Sequence, residues 1–398
     1  MQLSKKALKV KESSTLAISA KAKTMRDAGQ KVINFSLGEP DFDTPAHIVD
    51  AAINALRSGF TKYTESSGIL KLREAICGKL SRENGLSYKP GQIVVSNGAK
   101  HAISNICAAI LNEGDEVIIP APYWLTYPEI VTVYGGIPVI VQSDKSSGYK
   151  ASADQIATAI TPKTKAIIIN SPNNPSGFVY TEGELRDIAK LACQHDLIIV
   201  SDEIYEHFIY EPTQKHISIA SIDENTYNRT VVINGLSKSF AMTGWRMGYT
   251  ASSLELAKVM ANIQSHQTSN INSITQMAAI AAIEGDQSYL QVMGAEFAKR
   301  RDYIIKRVSA IDGFQMEIPS GAYYAFIDIS ALCGKAKGIT INNAADFATE
   351  LITKAGVAIV PCADFGFPMH IRFSYALSIG DLTEGMDKVE GFVKQYWG

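Results

Sequence analysis

The amino-acid sequence predicts an α/β fold with two domains: a large, mostly parallel seven-stranded sheet domain and a smaller α+β domain. Three observations support this prediction. The chain has 398 residues, which is more than one ordinary hydrophobic core accommodates. Between about residues 90 and 250, short apolar runs alternate with helix-length segments. Beyond residue 285 the pattern changes to a long charged helix and short alternating strands.

The strands of the large sheet are predicted from seven apolar runs. Most are continuous rather than alternating, which is typical of parallel strands buried on both faces. The helical spacing between them is clearest in 181–196, where Thr181 and Glu184 form a capping-box signature. The runs are QIVVS (92–96), EVIIP (116–120), IPVIVQ (137–142), KAIIIN (165–170), LIIVSDE (197–203), TVVIN (230–234) and MGYTAS (247–252).

Both ends of the chain contribute to the smaller domain. Residues 286–310 have a helical pattern, and the first 44 residues are expected to pack with the C-terminal part. The predicted division is therefore 45–285 for the large domain, and 1–44 with 286–398 for the small domain and its N-terminal arm. The small-domain strands are expected around GAYYAFIDI (321–329), GVAIVP (356–361) and HIRFSYA (370–376).

Composition narrows the possible functions. The formal net charge of −2 gives no basic face for nucleic acid or anionic lipid. No apolar stretch reaches the roughly 18 residues of a membrane span, and the start has no signal-peptide pattern. The five cysteines form no CxxC pair, which argues against a disulfide framework or a zinc site. We therefore expect a cytoplasmic protein with neither nucleic-acid nor membrane partners.

Polar residues follow several predicted strands at the point where each strand ends. In open α/β sheets, ligands bind beyond the carboxyl ends of the strands. Asn170 and Asp202 end two runs, and Lys238 follows a third. Each has an ordinary explanation as a turn residue, a cap or a lysine reaching solvent. Their combination is more informative, because the chain has neither a GxGxxG turn nor a Walker A loop.

A lysine, a carboxylate and anion donors in one crevice suit pyridoxal phosphate. A lysine forms a Schiff base with its aldehyde, and a helix N-terminus and an arginine bind its phosphate. A carboxylate keeps its ring nitrogen protonated, and an aromatic side chain covers the ring. The sequence offers Lys238; Asp202; Ser237, Arg246 and the SNGAK turn (96–100); Trp124; and Asn174 and Tyr205 for these parts.

Motifs along the whole chain resemble the class I and II aminotransferases of fold type I, which depend on pyridoxal phosphate. The bacterial aspartate aminotransferase branch is the most similar. The motifs are LGEPDFDTP (37–45), KYTESSGILKLREAI (62–76), APYWLTYPE (121–129), NSPNNPSG (170–177), SDEIYEHFIY (201–210), NGLSKSFAMTGWRMGY (234–249) and IRFSYA (371–376).

The resemblance implies roles for residues around the cofactor. Lys238 would be the Schiff-base lysine and the proton carrier, Asp202 the partner of the ring nitrogen, and Tyr205 a donor to the 3-oxygen. Asn174 would be a second such donor and Trp124 the stacking ring. The phosphate would be held by Ser237, Arg246, Gly98, Ala99, Lys100 and, from the neighbouring subunit of a homodimer, Tyr63.

The resemblance also implies a substrate site for amino acids and 2-oxo acids. Arg372 would bind the α-carboxylate bidentately and Gly38 would approach it with its backbone N–H, with Trp124 and Asn174 alongside. A dicarboxylate needs a further cation, for which Lys100, Lys11 and Thr15 stand in matching positions. These residues imply aspartate:2-oxoglutarate transamination by a ping-pong reaction, with prephenate as a possible added acceptor.

Other interpretations stay open at this stage. Within the enzymes, they are an aminotransferase for aromatic substrates or alanine, or a β-lyase. Outside this class, they are a non-catalytic regulator that binds the cofactor, or an NAD-dependent enzyme. Asp202, Glu206 and His207 could also suggest metal ligands, but their spacing fits no zinc site and we expect no metal.

Overall fold

The computed structural model describes residues 2–4, 7–211 and 213–398. Within these ranges the strands are β1 (Ile33–Asn34), β2 (Ile93–Asn97), β3 (Glu116–Pro120), β4 (Ile137–Val141), β5 (Thr164–Asn170), β6 (Ile198–Asp202), β7 (Thr230–Gly235), β8 (Met247–Ala251), β9 (Gln315–Met316), β10 (Tyr324–Asp328), β11 (Val357–Ala358), β12 (Val360–Pro361) and β13 (His370–Ser374).

The α-helices of the same ranges separate most of these strands. They are α1 (Ser14–Asp27), α2 (Ala46–Arg57), α3 (Leu70–Asn84), α4 (Ala99–Ile110), α5 (Thr126–Val133), α6 (Ala153–Ala157), α7 (Glu182–Gln194), α8 (Glu224–Arg229), α9 (Leu254–Gln267), α10 (Ser273–Glu284), α11 (Ser288–Ser309), α12 (Ala344–Ala355) and α13 (Ile379–Trp397).

The large sheet contains all seven predicted strands, in the order β2-β8-β7-β6-β5-β3-β4. Neighbouring strands from β7 to β4 pair in parallel, whereas β8 pairs antiparallel with both β2 and β7. The prediction of a mostly parallel α/β fold is confirmed. The capping box of α7 forms as well, with Thr181 accepting from the backbone of Glu184.

Helices cover both faces of the large sheet, as the continuous apolar runs require. On one face, Ile103 of α4 packs with Val94, Val117 and Ile168. On the other face, Leu185 and Ile188 of α7 pack with Ile118 and Ile167, and helices α2, α3 and α10 cover β2 and β8. Alternate residues of one strand therefore pack against helices on opposite faces of the sheet.

A smaller antiparallel sheet follows, in the order β12-β13-β10-β9. The N-terminal segment joins this part of the chain, since β1 pairs in parallel with β11 and Phe35 accepts a hydrogen bond from the backbone N–H of Ser374. These contacts place the 36–39 segment, with Gly38, beside β13, which carries Arg372. Among the described residues, none of the helices combines the length and apolar character that crossing a bilayer would require.

Candidate active site

A cavity of about 310 Å³ lies beyond the carboxyl ends of β5, β6 and β7. Asn170 and Asp202 are register partners at the ends of β5 and β6, and the Asn170 Nδ2 group donates to the Asp202 carbonyl at 3.0 Å. Most of the predicted site residues line this cavity: Thr15, Gly38, Ala99, Lys100, Trp124, Asn174, Asp202, Tyr205, Ser237, Lys238, Arg246 and Arg372.

The Asp202 carboxylate is buried, with 2% of the residue exposed. The Tyr127 hydroxyl donates to its Oδ2 at 2.7 Å, and the Ile204 N–H donates to its Oδ1 at 3.2 Å. Burial raises the pKa of Asp202 to about 6, while the Tyr127 hydrogen bond acts in the opposite direction. Among the described residues, no cation forms an ion pair with this carboxylate, although the Lys238 charge also lowers its pKa. A protonated ring nitrogen would complete this environment.

Lys238 lies three residues after the end of β7, and its Nζ donates to the Gly38 carbonyl at 2.6 Å. Burial lowers the pKa of Lys238 to about 8, while the Glu39 carboxylate partly opposes this effect. A lysine with a lowered pKa is neutral in a larger fraction of molecules near neutral pH, which makes its nitrogen a nucleophile and a base.

The N-terminus of α4 and the Arg246 guanidinium form an anion cradle. Gly98 precedes the helix with φ of 80°, and a Cβ there would lie 2.7 Å from Arg246 Nη2. Arg246 itself has φ of 58° and donates to the carbonyl of Thr243 at 3.0 Å. Because the first N–H groups of a helix lack intrahelical acceptors, the cradle offers both charge and oriented donors to a phosphate. Ser237 lines the same cavity.

Arg372 is held in the small sheet with 2% of its surface exposed. Its Nη1 donates to Asn174 Oδ1 at 2.9 Å and its Nη2 to the Ser36 carbonyl at 3.0 Å. The Tyr324 ring lies 4.4 Å from its Cζ. The buried Nε has no partner within the described part of the chain, so the guanidinium retains a free donor in a polar, preorganised setting.

Tyr205 and Gly38 both lie beside Tyr324, the tyrosine that packs against Arg372. The Tyr205 hydroxyl lies 2.8 Å from the Tyr324 hydroxyl. Burial raises the pKa of Tyr205 well above its usual value, so its hydroxyl keeps its proton. A Cβ on Gly38 would lie 3.0 Å from the Tyr324 hydroxyl, which favours glycine at this close approach.

Of the three residues predicted for a distal carboxylate, Lys100 and Thr15 line the cavity. Lys100 Nζ lies 5.0 Å from the centre of a Trp124 ring, and burial followed by the nearby Arg246 charge lowers the pKa of Lys100. Thr15 belongs to α1, and its buried Oγ1 has no hydrogen-bond partner in residues 2–4, 7–211 and 213–398. Both side chains are therefore placed to contact a ligand.

Three predicted residues are not among those that line the cavity. Gly98 is the N-cap of α4, directly before the lining residue Ala99. Lys11 is exposed, and its backbone N–H donates to Glu129 Oε2 at 2.9 Å. Tyr63 is 91% exposed. For Tyr63 the expectation was a role in a neighbouring subunit, so its position in one chain does not contradict that expectation.

Sequence reasoning missed Tyr127 and Tyr324 as parts of the site. Tyr127 lies one helical turn after Trp124, and the two rings meet edge to face at 5.5 Å, so the APYWLTYPE motif held a usable signal. Tyr324 lies two residues before Phe326, the register partner of Arg372. The period of two in a strand could have placed Tyr324 on the face of Arg372, had that pairing been known.

The three residues considered as metal ligands do not form one group. Asp202 contacts Tyr127, whereas Glu206 accepts from the Lys79 ammonium and from Asn84 Nδ2 at 2.8 Å. The Lys79 charge lowers the pKa of Glu206, although burial alone would raise it. A lysine ammonium thus already neutralises this carboxylate.

The chain belongs to the class I and II aminotransferases, since the model of that family, aminotransferase class I and II, matches residues 30–389. Enzymes of this family use pyridoxal phosphate, and the fold is fold type I. The chain is 47% identical to an aspartate aminotransferase of Bacillus sp. (strain YM-2), over 96% of both chains.

Two further relatives support the assignment. The chain is 46% identical to a probable aspartate/prephenate aminotransferase of Aquifex aeolicus, over 96% of both chains. The crystal structure of an aspartate aminotransferase from Rhizobium meliloti superposes with a TM-score of 0.96 at 38% identity, covering all of both chains. The predicted family, fold and enzyme class are confirmed, and the NAD-dependent alternative is excluded.

Proposed function

We propose that this chain is an aspartate aminotransferase that moves an amino group between L-aspartate and 2-oxoglutarate, giving oxaloacetate and L-glutamate. The observation that carries the proposal is the presence of two separate cations, buried Arg372 and outer Lys100, in one cavity with Lys238. A dicarboxylic amino acid has two carboxylates to be bound and one amino group to react.

The cavity fits pyridoxal phosphate. Its cradle at Gly98, Ala99, Ser237 and Arg246 suits a phosphate, and the space is kept open because a Cβ at residue 98 would collide with the guanidinium. Asp202 provides a buried carboxylate that forms no ion pair with any described residue, and Trp124 provides an aromatic face. When bound, the cofactor supplies an aldehyde that takes up the amino group and a ring that accepts electrons from the α-carbon.

Each polar residue of the cavity has a role in this reaction. Lys238 Nζ would hold the cofactor through its aldehyde, and as a free amine it would take the proton from the substrate α-carbon. Both roles need an amine with a lowered pKa. Asp202, with its charge held by the Tyr127 hydroxyl, keeps a proton on the ring nitrogen. Tyr205 and Asn174 would hold the 3-oxygen of the cofactor by hydrogen bonds.

Substrate orientation depends on Arg372 and Lys100. The planar fork of Arg372 binds the α-carboxylate bidentately, and its own position is fixed by Asn174 and Ser36. Lys100 and the unpartnered Thr15 hydroxyl bind the distal carboxylate. Holding both ends presents the α-hydrogen to Lys238 in one orientation, which is an entropic contribution to the rate.

The active unit is proposed to be a homodimer in which Tyr63 of one subunit donates to the cofactor phosphate of the other. The exposed position of Tyr63 outside its own cavity supports this arrangement. We also propose the domain division at 45–285, with 1–44 and 286–398 as the small domain. The five free cysteines favour the reducing conditions of the cytoplasm as its location.

A spectral titration tests the proposal. Purified protein is loaded with pyridoxal phosphate, and aspartate, glutamate, alanine, phenylalanine and arogenate are added one at a time while the visible cofactor band is followed. We expect aspartate and glutamate to bleach the band rapidly. Response to alanine or phenylalanine alone would contradict the proposed specificity, and absence of any band would contradict the role of Lys238.

The arogenate arm of the titration addresses prephenate as a further acceptor. The name of the Aquifex aeolicus relative and the free Thr15 hydroxyl support including it. Lys11 gives no support from its position, since it does not line the cavity. Bleaching by arogenate would extend the acceptors to prephenate, and its absence would restrict the enzyme to aspartate and glutamate.

A further inference from the structure

Two fully buried glutamines hold the segment 60–69, which carries the exposed Tyr63. Gln264 lies in α9 and Gln276 in α10, and both have 0% of their surface exposed. A buried primary amide is costly unless its donors and acceptor are paired. Their partners therefore show what these side chains fix in place.

Gln276 forms hydrogen bonds with the chain on the C-terminal side of Tyr63. Its Nε2 donates to the Thr64 hydroxyl at 3.0 Å and to the Ile271 carbonyl at 3.1 Å. Its Oε1 accepts from the Ile69 N–H at 2.8 Å. One side chain thus joins both ends of the 64–69 turn to helix α10.

Gln264 ties the same turn to the large sheet. Its Nε2 donates to the Ser66 carbonyl at 2.6 Å and to the Val95 carbonyl at 2.8 Å. Its Oε1 accepts from Ser96 Oγ at 2.7 Å and from Asn105 Nδ2 at 2.8 Å. Val95 and Ser96 belong to β2, the strand that leads directly into the Gly98 cradle.

The backbone of the segment is fitted to its surroundings on both sides of Tyr63. Gly68 has φ of 94°, and a Cβ there would lie 2.7 Å from Val95 Cγ2. The Ser273 hydroxyl donates to the Phe60 carbonyl at 2.7 Å. Tyr63 nevertheless remains 91% exposed, so a rigid support presents a side chain that its own chain leaves in solvent.

We propose that Gln276, assisted by Gln264, is a positioning residue that acts in trans: it holds Tyr63 where the cofactor phosphate of a second copy of this chain meets it. The inference rests on the proposed function, since it assumes the cofactor and the dimer. A rigid support has a physical advantage, because a preformed donor loses little conformational entropy when it binds the phosphate.

Hybrid dimers of two differently tagged chains test this inference. Only a subunit with Lys238 gives the visible cofactor band. Lys238→Ala in one chain therefore leaves each hybrid with a single site that contributes to this band. In hybrid one, one chain carries Lys238→Ala and the other Gln276→Met, so the visible site receives Tyr63 from a chain with Gln276. In hybrid two, one chain carries both substitutions, so the visible site of the other chain receives Tyr63 from a chain without Gln276.

The measurement is the rate at which the visible band is lost during dilution into cofactor-free buffer. We expect hybrid two to lose the band about tenfold faster than a hybrid of wild type and Lys238→Ala, because a charge-assisted hydrogen bond is weakened. Hybrid one should match that reference. The matched control uses Gln267→Met in place of Gln276→Met, because Gln267 is an exposed glutamine of α9. Both control hybrids should lose the band at the rate of the reference hybrid.

Equal loss in the two hybrids, or a larger loss in hybrid one, would overturn the inference and assign Gln276 a role within its own subunit. General destabilisation by Gln276→Met gives this same symmetrical result. Failure of the proposed function has a different signature: wild-type protein would then show no visible band, or would sediment as a monomer.

Discussion

The inner and outer parts of the cavity differ in how far their side chains are already organised. The floor, defined as Tyr127, Asn174, Asp202, Tyr205, Lys238, Tyr324 and Arg372, is joined largely by hydrogen bonds such as Tyr127–Asp202 and Arg372–Asn174. The rim is defined as the lining residues Thr15 and Lys100 together with Lys11 and Tyr63, which do not line the cavity of their own chain. It contains the exposed Tyr63 and the Thr15 hydroxyl, which has no hydrogen-bond partner among the described residues. The floor is complete within one chain, whereas the rim awaits a ligand or a second subunit.

This difference suggests that the floor and the rim have different functions in the reaction. A preorganised floor serves steps that every substrate of the family shares, because its dipoles need no rearrangement during the reaction. An open rim serves steps that distinguish substrates, because its groups gain partners only with a particular ligand. Substitutions on the floor should therefore affect all amino acids alike, and those on the rim should affect them selectively.

Lys238→Ala should have the largest effect. We expect the rate of the first half-reaction to fall at least about 10⁴-fold with aspartate, glutamate and alanine alike, because both the nucleophile and the proton carrier are lost. Single-turnover absorbance measurements with each amino acid would show this. Lys165→Ala, which removes an exposed lysine of β5, should leave the rate unchanged. A loss confined to dicarboxylic substrates would contradict the assignment of Lys238 to the floor.

Arg372→Lys should have the next largest effect. An ammonium cannot reproduce the fork that contacts Asn174, Ser36 and the α-carboxylate together. We expect kcat/KM to fall roughly 100-fold, since a charge-assisted hydrogen bond contributes about 1.5–3 kcal/mol. Steady-state kinetics should give the same factor for aspartate and alanine, because both carry an α-carboxylate. A loss for aspartate alone would move Arg372 to the distal carboxylate and reverse the comparison.

Lys100→Met should affect substrates selectively, as expected for a rim residue and unlike a floor residue. We expect kcat/KM to fall about tenfold for aspartate and less than about twofold for alanine, which has no distal carboxylate to bind. Steady-state kinetics of both substrates, with Lys89→Met as an exposed control, would measure the ratio. An equal loss for the two amino acids would instead indicate that Lys100 serves the cofactor phosphate and that substrate selection lies elsewhere.

Local sequence signals predicted most of the fold and brought Asn170, Asp202 and Lys238 to one cavity. Continuous apolar runs reported strands buried on both faces, and the polar residues at their ends, Asn170 and Asp202, became direct neighbours. Parallel pairing brings the carboxyl ends of adjacent strands together, so this juxtaposition needed no knowledge of side-chain contacts. The resemblance added Arg372 and Gly38, which no local pattern connects with the strand ends.

The same reasoning could not predict contacts between residues that lie far apart in the sequence. Tyr205 and Tyr324 meet although 119 residues separate them in the chain, and their sequences carry no mark of the contact. Lys11 matched a family position, yet its side chain lies outside the cavity of its own chain. The role proposed for Tyr63 depends on a second subunit, which the sequence of one chain indicates only by resemblance.

Tyr127→Phe should have the smallest effect, and it tests the part of the floor that the sequence did not reveal. The Tyr127 hydroxyl stabilises the charged form of Asp202, so its removal should raise the carboxyl pKa above about 6, by about one unit. Because only the charged carboxylate stabilises a protonated ring nitrogen, cofactor affinity should fall as the pH decreases through this pKa. In the variant the fall should begin about one pH unit higher, with near-normal affinity at pH 8. Titration of the cofactor-free protein with pyridoxal phosphate across this range would measure the shift. Tyr134→Phe, at the end of the same helix, should keep the wild-type profile, and an unshifted profile in Tyr127→Phe would mean that burial alone sets the charge of Asp202.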